Sequence, residues 1–117
     1  MVESQTQILD RVFLALGHPV RRQILVRLIE GPATVSDIAE PFDMSLNAIS
    51  KHLKVLESAN LIQRQIIGRE HYCSVSREPL EEVSRWLAYY QSFWSSGFDA
   101  MEEELIANKR AKSLGKE

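Results

Sequence analysis

Apolar residues at the start of the chain recur at intervals of three and four. Ile8, Leu9, Val12, Phe13 and Leu16 form one stripe, which predicts a helix from about Gln5 to Leu16, ended by Gly17. A second stripe, Val20, Ile24, Leu25, Leu28 and Ile29, follows Pro19, a residue favoured at a first helical position, and is stopped by Gly31-Pro32.

Thr34 followed by Asp37 resembles a capping box with Asp in place of Glu, so a short third helix is expected from there to Glu40 or Pro41. Ser45 is placed to cap a fourth helix reaching Ser58. A short helix, a tight connection and a longer helix make the helix-turn-helix outline. Past Asn60 the period changes to two. Ile62, Arg64 and Ile66 alternate with Gln63 and Gln65, and His71 to Val75 is rich in strand formers, so Leu61–Ile66 and His71–Val75 are expected to pair as a hairpin around Gly68.

From Pro79 the helical period returns. Leu80, Val83, Leu87, Tyr90, Trp94, Phe98, Met101 and Leu105 step by three and four, and a stripe of that length needs a partner. Residues 109–117 are polar and are expected to fray. The reading is therefore a mainly helical α+β fold ordered α-α-α-α-β-β-α, a winged helix-turn-helix, with residues 1–108 as one domain.

Composition narrows the function. The 117 residues are 44% hydrophobic and 26% charged, enough for one compact core. A single cysteine, Cys73, rules out an intrachain disulfide and a paired-thiolate metal site within one chain. With no basic-then-apolar leader and no run near 18 apolar residues, a cytoplasmic protein without membrane contact is expected. The net charge of −2 argues against coating nucleic acid by bulk electrostatics. The charge is unevenly placed, however, because only residues 45–76 are basic, with four Lys/Arg against two Asp/Glu.

That basic stretch contains the fourth helix. Ile49, Leu53 and Leu56 suit a core face, while Asn47, Ser50, Lys51 and Lys54 share another face that is uncharged or positive. Short polar groups beside cations are what a helix needs to read base edges and meet phosphates in a major groove. Arg64 and Arg69 lie on and beside the hairpin, where a wing would meet the backbone. Taken alone, such a face also describes a solvated surface, and the preceding short helix and following hairpin favour DNA. His52 has two readings, a structural hydrogen bond or a phosphate contact. Tyr72 likewise reads as a wing-to-core residue or a phosphate ligand.

The runs Ala15-Leu16-Gly17-His18-Pro19-Val20-Arg21-Arg22-Gln23-Ile24-Leu25, Val35-Ser36-Asp37-Ile38-Ala39, Ser50-Lys51-His52-Leu53-Lys54-Val55-Leu56-Glu57 and Gly68-Arg69-Glu70-His71-Tyr72 resemble the ArsR/SmtB family of bacterial repressors. The resemblance implies a homodimer built on the first and last helices that binds a partly palindromic operator on double-stranded DNA. By position it assigns DNA contacts to Ser45, Asn47, Ser50, Lys51, His52 and Lys54, and wing contacts to Arg64 and Arg69. The dimer surface is expected from Ile8, Val12, Leu80, Val83, Leu87, Tyr90, Trp94 and Phe98.

The departures matter. Thr34 to Ile38 contains no cysteine, and no histidine follows Pro79, so neither of the family's familiar metal sites is available; no metal and no cofactor are expected. Asn60 and Asp43 stand where the family usually has glycine, and both residue types tolerate positive φ. The last helix holds six of the nine aromatics, Trp86, Tyr89, Tyr90, Phe93, Trp94 and Phe98. They read as a dimer core, or as a pocket for an unknown small-molecule effector. Cys73 reads as a small strand residue. No nucleophile with a base and no phosphate-binding glycine loop suggests an enzyme. The alternative function is a winged-helix interaction module that does not use DNA.

Overall fold

A computed structural model describes residues 4–114, with side chains through residue 111. Its elements are α1 (Gln5–Leu16), α2 (Pro19–Ile29), β1 (Ala33–Thr34), α3 (Val35–Ala39), α4 (Leu46–Ser58), β2 (Ile62–Ile67), β3 (Glu70–Val75) and α5 (Glu78–Leu114). The chain divides into two compact units, residues 1–83 and 84–117, where the sequence reading has one domain through residue 108.

The first unit is the winged helix-turn-helix. Its helices start where side chains satisfy their first N–H groups. The Ser4 and Gln7 side chains cap α1 reciprocally, a box that the sequence reading overlooked. At α3 the Thr34 hydroxyl accepts from Asp37 N–H at 3.1 Å, and at α4 the Ser45 hydroxyl accepts from Ala48 N–H at 3.1 Å. Helix α3 ends at Ala39 with Glu40 as its cap, one residue short of the nearer of its expected ends, Glu40 or Pro41.

Helix α4 closes through Asn60, whose φ of 58° lets Leu61 N–H reach back to the Leu56 carbonyl at 3.0 Å. Among the described residues Asn60 is the non-glycine residue at positive φ, so Asp43 does not use the left-handed conformation that its residue type tolerates. Gly68 at φ 65° leads the two-residue turn Gly68-Arg69 between Ile67 and Glu70, which are paired in register.

The sheet has a strand that the sequence reading missed. Two-residue β1 pairs antiparallel with β3, Ala33 opposite Cys73 and Thr34 opposite Tyr72, giving the order β1-β3-β2. Two residues carry no period, so no pattern could announce them. Val12, Ile24, Ile38, Ile49, Leu53, Leu56, Leu61 and Cys73 are fully enclosed, so every helix of this unit before α5, and the sheet, contribute to one core. Each buried aliphatic side chain contributes roughly 1.5–3 kcal/mol.

The second unit is the remainder of α5. Its rings form a ladder along the helix: Trp86 to Tyr90 at 4.6 Å between centroids, Tyr90 to Trp94 at 5.3 Å and Tyr89 to Phe93 at 6.3 Å. Tyr89, Phe93 and Phe98 are 65%, 69% and 63% exposed. The tail expected to fray from residue 109 is helical through Leu114, and residues 115–117 lie outside the described residues. Gly97 does not interrupt the helix.

Candidate nucleic-acid interface

Helix α4 has two opposed faces. Ile49, Leu53 and Leu56 have no exposed surface and fix the helix to the core. Ser45, Asn47, Lys51 and Lys54 are exposed and Ser50 is half-buried. Asn47, Lys51 and Lys54 follow at steps of four and three, one stripe along the outward side. Ser45 has a second duty, because its oxygen already accepts the capping N–H; its hydroxyl proton remains able to donate.

The wing is placed differently for its two arginines. Arg69 sits at the turn and is exposed. Arg64, in mid-strand, is half-buried and its Nε lies 2.5 Å from Glu57 Oε1 on α4, while its Nη2 has no hydrogen-bond partner among the described residues. Arg64 thus braces the wing against the helix here, through a partly exposed ion pair, whereas the resemblance assigns it a wing contact with DNA. Thr34, Ser36, Ser50, Arg64, Arg69 and Tyr72 help to line a cleft of about 560 Å³ shared by α3, α4 and the hairpin. The Tyr72 hydroxyl donates to Glu70 at 3.1 Å, and that bond raises its pKa, which keeps the phenol protonated.

His52 also meets partners within the chain. Its Nδ1 lies 3.3 Å from Arg21 Nη1 and its ring packs 4.4 Å from that of His18. Burial, then the neighbouring His18 and Arg21, hold its pKa below the usual 6.5, so at neutral pH it is uncharged and turned inward. These contacts fit the structural hydrogen bond, one of the two readings the sequence gives His52. The expected dimer residues separate as well. Val12 and Val83 are buried within the chain at 0% and 8% exposure, so they support a surface from beneath. Ile8 and Leu80 are half-buried, and Leu87, Tyr90, Trp94 and Phe98 are open, at 43%, 36%, 48% and 63%.

The sequence reading passed over the chemistry of Arg21 and Arg22. Arg21 donates to the Ala15 carbonyl at 2.6 Å and the Leu14 carbonyl at 3.1 Å, and Arg22 to the Leu16 carbonyl at 2.7 Å. These are the orphan acceptors at the C-terminal end of α1. Two arginines in the first turn after a helix stop are the signal that could have revealed them.

A helix-turn-helix domain model matches residues 16–65, the segment from the end of α1 into β2. The transcriptional repressor SdpR of Bacillus subtilis is 37% identical over 79 residues, covering 68% of this chain and 88% of that protein. The crystal structure of an ArsR family transcriptional regulator is 42% identical, with a TM-score of 0.73, and covers 82% of this chain and 98% of that one. The chain belongs to the ArsR family of transcriptional regulators.

Another ArsR-like structure, the homodimeric winged helix-turn-helix DNA-binding domain Mb0332 from Mycobacterium bovis, is 26% identical, with a TM-score of 0.60; the match covers 75% of this chain and 83% of that one. Within this ArsR-family protein the matched helix-turn-helix segment contains both faces of α4, the Arg21–His52 contact and the Arg64–Glu57 pair. Among the described residues no three His, Cys, Asp or Glu side chains converge as a metal-holding group. No described helix is long and apolar enough to cross a membrane.

Proposed function

We propose that this protein is a cytoplasmic, non-enzymatic repressor that binds an operator in double-stranded DNA as a homodimer, with α4 of each subunit in a major groove. The observation that carries this reading is the outward stripe Asn47, Lys51 and Lys54 on a helix whose opposite face is locked into the core. Asn47 and Ser50 read base edges, Lys51 and Lys54 meet phosphates, and Arg69 approaches the backbone from the wing. Two such helices in a dimer address half-sites about 10 bp apart or a multiple of that.

The exposed aromatic ladder of α5 supports the homodimer, since rings in water at that density gain most by covering one another. The M. bovis domain is homodimeric, and the same assembly is proposed here. On this reading residues 1–108 act as one DNA-binding and dimerising domain.

The test is fluorescence anisotropy with DNA from the protein's own upstream region, scrambled competitor and a salt series. With Arg64 paired and His52 neutral, Lys51, Lys54 and Arg69 are the cations for phosphates, so log K should fall with log salt at a slope of about −5 for the dimer. A slope near zero overturns the groove model. Exposed Ile66 and Ile67, at 65% and 56% beside the turn, favour the interaction-module alternative, for which scrambled DNA competes as well as operator.

A further inference from the structure

His52 lies on the helix proposed to read DNA, yet its ring is held from the other side. Arg21 holds three acceptors at once: Nε donates to the Ala15 carbonyl, Nη2 to the Leu14 carbonyl, and Nη1 faces His52 Nδ1 at 3.3 Å. A guanidinium can only donate, so His52 Nδ1 must carry its lone pair and the ring proton must sit on Nε2. The contact therefore exists with a neutral imidazole and is lost in an imidazolium, which has donors on both nitrogens.

We propose that Arg21 and His52 form a positioning tie that sets the recognition helix against the C-terminal end of α1, and that DNA binding requires it to be closed. The inference rests on the DNA-binding reading above and adds to it a residue pair that touches no DNA. Two of the three bonded atoms, the Leu14 and Ala15 carbonyls, belong to α1, and the third belongs to α4, so one side chain spans both helices from α2. The groups felt by His52 are Arg21 on α2 and His18 at its N-cap, both cationic or neutral, while α1 offers backbone carbonyls. His18 is itself engaged, its Nδ1 accepting from Val20 N–H at 3.1 Å. A proton added to His52 would face a fixed arginine at hydrogen-bond distance. The tie opens, and the helix loses its lateral restraint.

The sign of the pH effect distinguishes this from direct contact. A histidine that touches phosphate binds DNA more tightly when it gains a proton. A histidine whose neutral form holds the helix binds more weakly. The experiment has two arms. In the first, 15N NMR of the free wild-type protein at pH 8 assigns the His52 tautomer; an unprotonated Nδ1 is expected, and a proton on Nδ1 overturns the proposal whether or not the protein binds DNA.

In the second arm, operator affinity is compared between pH 8 and pH 5.5, with circular dichroism showing an intact fold, for wild type and His52→Gln, whose amide oxygen accepts but does not titrate. Wild type should lose affinity by at least about twofold and by less than the roughly tenfold that an unshifted imidazole of pKa 6.5 would give at pH 5.5, and His52→Gln should lose clearly less. Wild-type affinity that holds or tightens on acidification, or an equal loss in both proteins, overturns the tie alone. Absence of operator-specific binding at pH 8 defeats the DNA reading itself, and the tie's role with it.

Discussion

Arg64 Nε lies 2.5 Å from Glu57 Oε1, so the first wing strand is fastened to the last turn of the helix proposed to enter the groove. The pair is partly exposed, at 25% and 35% for the two side chains, which puts its worth in the range of about 0–1 kcal/mol. Its importance is geometric, since it sets the spacing between wing and helix.

Replacing Arg64 with Ala should therefore lower folding stability by about 1 kcal/mol, measured by urea denaturation, and change the DNA salt slope little. Arg69→Ala should do the reverse, leaving stability within about 0.5 kcal/mol while making the dimer's salt slope shallower by about 2. Equal slope changes in the two variants would show Arg64 at the phosphates.

Leu53 and Lys54 are neighbours on α4 with opposite surroundings, one fully buried and one exposed. Leu53→Ala should cost about 2–5 kcal/mol in denaturant titrations. Lys54→Ala should move stability by less than about 0.5 kcal/mol and weaken binding to operator and scrambled DNA alike.

The aromatic ladder predicts the assembly. Trp94→Glu places a charge among exposed rings, and sedimentation velocity should show monomer where wild type shows dimer. A dimer that survives this change and Phe98→Glu together would move the interface away from α5.

His52 links stability to pH. Its folded pKa lies below the ordinary 6.5, so the unfolded chain binds more protons in the interval between the two values. This contribution is complete above pH 6.5 and is lost as pH falls from there toward the folded value. Melting temperature should drop below about pH 6.5 in wild type and less steeply in His52→Gln. A rise on acidification would contradict the inward, uncharged ring.

Cys73 is wholly buried opposite Arg64 and Ala33, and burial raises its thiol pKa, so it is a weak nucleophile. A disulfide reagent at neutral pH should label it slowly in native protein and rapidly in urea. Fast native labelling would show that the sheet opens.

Much of this was legible because local rules and the fold agree. Ser45, Pro19, Asn60 and Gly68 each act within a few residues of themselves, so their caps and turns could be read along the chain. The two faces of α4 followed from spacing alone. The partners of His52 and Arg64 were not legible for a shared reason: Arg21 and Glu57 lie 31 and 7 residues away, and spacing does not reveal which cations meet a neighbour before they meet solvent. Val12 and Val83 fell on the correct stripes, but a stripe does not say which of its members face inward and which face a second copy.

The order of the helices and hairpin, the core face and polar face of α4, and membership of the ArsR family could all be read along the chain, because periodicity, capping chemistry and motif order are local. Tertiary structure alone decided that β1 completes the sheet, that Arg64 braces the wing, and that Arg21 joins α1 to His52. Those contacts form when packing brings distant groups together, and packing also sets which charges stay in water.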